Sequence, residues 1–272
     1  MRLLLAFIAL LFVGIVSAQT PVSFEKKEYN FADGKVLPYR IIYPENYDKT
    51  KKYPLVLFLH GAGERGNDNE KQLVHGSKLF LDAENRKKFP AIVIFPQCPA
   101  NSFWASIKID TSVKPRVLAF DYTGEANWPL TAANELVHKI ASEESVDHRR
   151  IYVAGLSMGG MGTFEAVYRN PTLYAAALPI CGGADLNSYS NWTGKTPFWI
   201  FHGDADPVVN VKLSRDANEK LKSIKAKVKY TEYPGVNHNS WDSAFAEPTF
   251  LTGLALVTAI FEIPFRLFWV DI

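Results

Sequence analysis

Ile151-Tyr-Val-Ala-Gly-Leu-Ser-Met-Gly-Gly160 is a short apolar run, then a turn, then the start of a helix. Within it, Gly155-Leu156-Ser157-Met158-Gly159 has the Gly-x-Ser-x-Gly spacing of a serine lifted out of a buried strand on a sharp turn. The glycines have a steric reason. A side chain two residues before or after the serine would strike the turn or the following helix. Gly160 and Gly162 keep the first helical turn slim, and Met161, Phe164 and Val167 follow at helical spacing to pack on a sheet. Sharp turns of small residues are common, so the pentapeptide gains weight from its context, a β-branched strand before it and a helix after it.

The rest of the chain fits one large domain. It has 272 residues, 47% hydrophobic and 21% charged, enough for a sizeable α/β core. Met1-Arg2, an uncharged run from Leu3 and then Val16-Ser17-Ala18 have the order of a secretory leader, with cleavage expected after Ala18. Its apolar run is shorter than the ~20 residues of a spanning helix. Taking Arg2 from the 30 basic residues leaves 29 against 28 acidic ones, which argues against a nucleic-acid surface or a polyanionic substrate. The protein is expected to be periplasmic or extracellular, with no stable membrane association after cleavage. Cys98 and Cys181 end different, non-adjacent strands and are read as free thiols.

Outward from the elbow, apolar runs alternate with helical patterns. Residues 23–30 and 36–43 read as a hairpin pair turning at Ala32-Asp33-Gly34, with Pro38 holding the second run near an edge. Residues 53–61 and 91–96 are continuous apolar strands of the kind buried on both faces of a parallel sheet. Residues 70–88 read as a surface helix, 97–129 as a long aromatic-rich segment, and 130–145 as a helix. Strands follow at 174–181, 197–202 and 228–233, the last two separated by a helix over 211–224 whose Leu213, Ala217, Leu221 and Ile224 form one stripe. This alternation predicts a doubly wound, mostly parallel sheet with helices on both faces.

A hydroxyl nucleophile needs a base in hydrogen-bond reach, and the base needs a carboxylate to orient it. Both should leave the C-terminal ends of later strands. Phe201-His-Gly-Asp-Ala-Asp-Pro-Val-Val209 offers Asp204 and Asp206, and Tyr233-Pro-Gly-Val-Asn-His238 offers His238. The order serine, acid, histidine is that of α/β-hydrolases.

The chain resembles the α/β-hydrolase superfamily, and within it the secreted bacterial esterases and predicted peptidases grouped with dienelactone hydrolases, polyhydroxybutyrate depolymerases and feruloyl or acetyl esterases. The resemblance is carried by Leu59-His-Gly-Ala-Gly-Glu-Arg-Gly66, Pro96-Gln-Cys-Pro99 with Trp104, Gly155-Leu-Ser-Met-Gly-Gly160, His202-Gly-Asp-Ala-Asp-Pro-Val-Val209, and His238 with Trp241. The family's His-Gly-x-x-Asp-x-x-Val pattern falls on Asp206, so the resemblance implies Ser157, Asp206 and His238 as catalytic residues; Asp204 is read as a loop residue capping a turn, with the acid role as its alternative. It implies an oxyanion hole of the Ala62 and Met158 backbone N–H groups, the latter at the N-terminus of the elbow helix.

No cofactor and no metal are expected; His60, His202 and Asp204 lack ligand spacing. His60 and His202 are read as turn braces, and His75, His138 and His148 as surface residues. Glu64 and Arg65 read as a local loop pair, with Arg65 as an alternative substrate contact. Trp104, Phe120, Tyr122 and Trp128 read either as core or as a substrate wall, Trp104 being the candidate contact. Few residues separate 181 from 197, so no large lid is expected. Three domains of description result: a leader over 1–18, a catalytic domain over 19–252 and an atypical apolar tail over 253–272. The expected activity is hydrolysis of carboxylic esters, small or polysaccharide-linked, with feruloyl or acetyl carbohydrate esters foremost. The alternatives are a prolyl-oligopeptidase-like peptidase and a non-catalytic binding module on the same fold.

Overall fold

The computed structural model describes residues 23–112 and 117–251. The leader over 1–18 and the tail over 253–272 lie outside the described residues. β1 (Glu25–Asn30) and β2 (Val36–Ile42) form the expected antiparallel pair. β3 (Tyr53–Leu59) and β4 (Ile92–Pro96) are buried throughout and pair in parallel. β7 (Val146–Leu156), β8 (Ala176–Ile180), β9 (Phe198–Gly203) and β10 (Val228–Tyr233) complete an eight-stranded sheet in the order β1-β2-β4-β3-β7-β8-β9-β10. From β4 to β10 every neighbouring pair is parallel, while β1 and β2 run antiparallel along one edge. Strand order reverses beside β3, so β3 and β7 flank a switch point, the crevice where open α/β sheets place their ligands.

Helices cover both faces. Helices α3 (Trp128–Glu143), α4 (Met158–Arg169) and α6 (Lys212–Ser223) bury Leu136, Phe164 and Leu221 against one face, together with Leu57 and Val153. The short helices α1 (Ser77–Leu81) and α2 (Ala83–Lys88) and the later α7 (Ser240–Phe245) cover the other, where Phe58, Phe80, Phe95, Phe201 and Phe250 meet. The single helix expected over 70–88 is instead broken into short turns. Gly76 takes a left-handed φ of 82°, and a Cβ there would lie 2.6 Å from the Phe58 ring. Asp82 then caps α2 by accepting the Asn85 N–H.

The long segment after β4 holds an unanticipated hairpin, β5 (Ile107–Asp110) paired antiparallel with β6 (Val117–Phe120). Ile107 lies opposite Phe120, and Ile109 opposite Leu118, so these four share one face. That face packs on Ala105, Met161 and Val209, on the α4 side of the sheet. Between β8 and β9 there is only α5 (Leu186–Tyr189), in keeping with the expectation of no large lid. Cys98 and Cys181 are both free and buried, just past the ends of β4 and β8, which β3 and β7 separate.

Candidate active site

Ser157 stands between β7 and α4 with φ 53° and ψ −116°, a conformation a non-glycine residue holds only when its surroundings force it. The force is steric. A Cβ on Gly159 would lie 1.9 Å from the Leu59 carbonyl oxygen, so the elbow helix rests directly on the end of β3. The Ser157 N–H donates to the Ile180 carbonyl at 2.9 Å, pinning the turn to β8.

The chain brings Ser157, His238 and Asp206 together. His238 Nδ1 lies 2.7 Å from Asp206 Oδ2, and His238 Nε2 lies 3.0 Å from Ser157 Oγ. A carboxylate only accepts, so Nδ1 carries the proton and the Nε2 lone pair faces the serine hydroxyl. The Asp206 side chain is fully buried, while that of His238 is 20% exposed. Burial pushes the Asp206 carboxyl up, but hydrogen bonds from His202, His238 and the Val209 and Val208 N–H groups outweigh it and hold the acid well below the usual carboxylate range. Asp204 instead accepts the Gly235 N–H at 2.6 Å, a turn-capping role.

His202 is a contributor that its reading as a turn brace understated. Its buried ring reaches Asp206 Oδ2 through Nε2 at 3.2 Å and Ser214 Oγ through Nδ1 at 2.7 Å. The carboxylate therefore has four donors around it. The signal was in the sequence, since His202 near the end of β9 and Asp206 in the turn after it lie four residues apart.

Met158 opens α4 and Ala62 opens a short 3-10 turn after β3. Their N–H groups are thus among the first donors of helical turns, which have no partner within the turn. Both residues line the same cleft as Ser157, with Phe103, Met161, Val209 and hairpin residues Ile107, Ile109 and Leu118. The cleft is open to solvent, and apart from Ser157 its lining side chains are apolar.

Two substrate contacts expected from sequence are not where that role needs them. Trp104 is completely buried; its indole N–H donates to the His60 carbonyl at 3.1 Å and its ring abuts Gly162. Tyr122 is buried as well, and Trp128 stacks on Phe31 at 6.0 Å, so these rings are core, while Phe103 stands in an otherwise aliphatic cleft wall. Arg65 is a brace: its guanidinium donates to the Ala62 and Ser102 carbonyls and lies 4.6 Å from the Phe103 ring centre. It does not pair with Glu64, whose carboxylate instead faces His75 at 3.8 Å. His75 is half-buried beside Trp241 rather than a plain surface residue. Among the described residues, Cys181, Asp206 and His238 form the one cluster with metal-ligand proximity, and two of its members are the serine's partners.

The fold and this site define an α/β-hydrolase. Residues 127–249 match the model of the Phospholipase/Carboxylesterase family. Acyl-protein thioesterase 1 of Neurospora crassa is 27% identical over 210 residues, covering 68% of this chain and 80% of the relative. A probable carboxylesterase of Oryza sativa is 25% identical over 198 residues, covering 70% of this chain and 83% of the relative. The crystal structure of a thermostable esterase superposes with a TM-score of 0.74 at 36% identity, over 85% of this chain and 62% of that one. A ferulic acid esterase of Anaeromyces mucronatus shares the fold alone, with a TM-score of 0.63 at 17% identity over 90% of this chain and 94% of that one. The chain is an α/β-hydrolase of the esterase and peptidase group, and a serine-type carboxylic ester hydrolase.

Proposed function

We propose that the protein is an exported esterase that works through an acyl-enzyme on Ser157. The observation that carries this reading is the hydrogen-bonded line Ser157–His238–Asp206 beside two unpaired helix-start donors. Ser157 Oγ attacks the ester carbonyl carbon while its proton passes to His238 Nε2. The alcohol leaves with that proton as the C–O bond breaks. Water then attacks the acyl-enzyme, giving its proton to His238, and the acid departs as Ser157 recovers its proton. The oxyanion is held by the Ala62 and Met158 N–H groups, each worth about 3 kcal/mol to the transition state. His238⁺ formed in the first step lies against an Asp206 that stays ionised, which stabilises it.

The acyl group fits the apolar cleft under the hairpin, which has room for a small acyl group or an aromatic acid. Feruloyl or acetyl esters of carbohydrates are the substrate reading. The short connection between β8 and β9 supports it by leaving space for a bulky alcohol. The leader sequence supports export to the periplasm or beyond. Ser157→Ala is expected to lower p-nitrophenyl acetate turnover by about 10⁴-fold or more, with circular dichroism unchanged and fluorophosphonate labelling lost. Full activity in that variant sinks the assignment. Much faster cleavage of dipeptidyl amides than of esters by the wild type moves the reading to a peptidase.

A further inference from the structure

Two side chains near Ser157 have no part in the chemistry above. Glu64 follows the Ala62 loop, and a Cβ placed on Gly61 would lie 2.9 Å from Glu64 Oε2 and 3.7 Å from Ser157 Cβ. Carboxylate and serine thus flank the same glycine. Among the described residues the only polar partner of the Glu64 side chain is His75, at 3.8 Å, beyond hydrogen-bond reach. The Glu64 side chain is 14% exposed and that of His75 33%, so both still meet solvent. An anion this close to a developing oxyanion opposes the reaction electrostatically.

The neighbours say which side of the site this is. His75 lies 5.0 Å from the Trp241 ring, and Trp241 lies 5.4 Å from the His238 ring, nearly edge-on. Glu64, His75, Trp241 and His238 therefore form an arc on the α1 and α7 face of the sheet, opposite the hairpin. Of these four, His75 also lines an open groove between the Val74–Asn85 segment and α7, with Lys78, Asp82 and Asp242 along it. His238 returns the proton to the leaving alcohol, so the alcohol must depart on the histidine side, where this polar arc stands.

We propose that Glu64, His75 and Trp241 form the subsite for a polyhydroxylated leaving group, a sugar or similar polyol, on the face opposite the acyl cleft. This rests on the ester-hydrolase reading. A carboxylate accepts two hydroxyl hydrogens, the imidazole beside it offers a donor, and an indole provides an apolar plane for ring C–H groups. A vicinal diol uses both donor and acceptor. An ammonium group would satisfy Glu64 but gains nothing from a neighbouring N–H donor, so the pair favours hydroxyls.

The test compares two acetyl esters, methyl 6-O-acetylglucoside and ethyl acetate, in wild type, Glu64→Leu and His75→Phe, with circular dichroism as the check on folding. Wild type is expected to favour the glucoside in kcat/KM by about ten-fold or more, and each variant to lower that preference by about ten-fold. Glu64→Gln, which keeps shape and one acceptor, is expected to lose less. No preference in wild type, or an unchanged preference in folded variants, overturns the subsite while leaving the esterase reading intact. Equal loss on both esters overturns it too, since Glu64 then acts on the oxyanion loop. Preference for 6-aminohexyl acetate over the glucoside makes it an ammonium site instead. If wild type hydrolyses none of the esters, the failure lies with the esterase reading, and methyl glucoside binding by calorimetry then decides the subsite. Binding weakened about ten-fold by Glu64→Leu keeps it, and no binding removes it.

Discussion

The elbow around Ser157 and the hairpin over the cleft line the same space but are built in opposite ways. The elbow has no slack. Ser157 is held at a left-handed φ by β8, and Gly159 lies so close to β3 that even a methyl group finds no room. The hairpin is two four-residue strands that form a separate two-stranded sheet, with Ile109 and Val117 exposed. The position of Ser157 is set by packed backbone, whereas part of the cleft wall is a hairpin outside the main sheet. His60 lies between the two regions, and its carbonyl accepts the Trp104 indole N–H just before the hairpin begins.

The sharpest way to break this contrast is Gly159→Ala. The new Cβ would sit 1.9 Å from the Leu59 oxygen and 2.8 Å from that of His60, both backbone atoms that cannot rotate away. Either α4 lifts or the end of β3 moves, and the Ala62 donor moves with it. A loss of at least about 4 kcal/mol in unfolding free energy is expected, with ester turnover near background. Chemical denaturation and p-nitrophenyl acetate kinetics measure both. A stable, active variant would show that the elbow has slack after all.

The same contrast explains what could be read in advance. The elbow, the oxyanion loop and the Asp206 turn each compress a steric or hydrogen-bonding demand into a few adjacent residues, so spacing reveals them. The parallel core strands were legible because burial on both faces leaves continuous apolar runs, as in Leu55 to Leu59. The hairpin was not. Ile107, Ile109, Leu118 and Phe120 alternate only over four residues a side, too short to stand out from an aromatic-rich loop. Trp104 was misplaced because sequence shows that an indole is large and flat but not that its N–H is taken by the His60 carbonyl. Glu64 was paired with Arg65 by proximity in the chain, whereas the turn at Gly76 brings His75 to it instead.

His60, the joint between the two regions, offers a second test. Its Nε2 accepts the Cys98 N–H at 2.9 Å, so Nδ1 carries the proton and donates to the Gly61 carbonyl. Burial is the main cause that lowers its pKa from 6.5 to about 4. The unfolded chain then takes up a proton that the folded chain refuses. The stability His60 confers is complete above pH 6.5 and is lost as the pH falls toward 4. The loss is on the order of 3 kcal/mol over that window. Urea unfolding of wild type and His60→Gln at pH 7.5 and pH 4.5 isolates it from Asp206 and other groups. The gap between the two proteins should narrow at the lower pH, and a constant gap would mean the ring is not held neutral by burial.

The smallest effect expected, and the one that most sharpens the comparison, comes from the hairpin. Leu118 faces the cleft across from Met161, yet it is only partly buried and belongs to a strand outside the main sheet. Leu118→Asn keeps the side-chain size and leaves the backbone pairing with Ile109 available. Stability should therefore change by less than about 1 kcal/mol, as at other sites short of the core. Acyl selectivity should change more. Each methylene taken from water into an apolar wall contributes about 0.8 kcal/mol, so the two that separate butyrate from acetate are worth about 1.6 kcal/mol, close to fifteen-fold in kcat/KM. The butyrate-to-acetate ratio, measured on ethyl esters of the wild type and the variant, should fall toward unity when the wall becomes polar. The rate on ethyl acetate itself should move much less, because the elbow and its hydrogen bonds are untouched. If both esters slow equally, the hairpin is part of the machinery that positions Ser157. The division between a rigid centre and a replaceable flap would then be wrong for this protein.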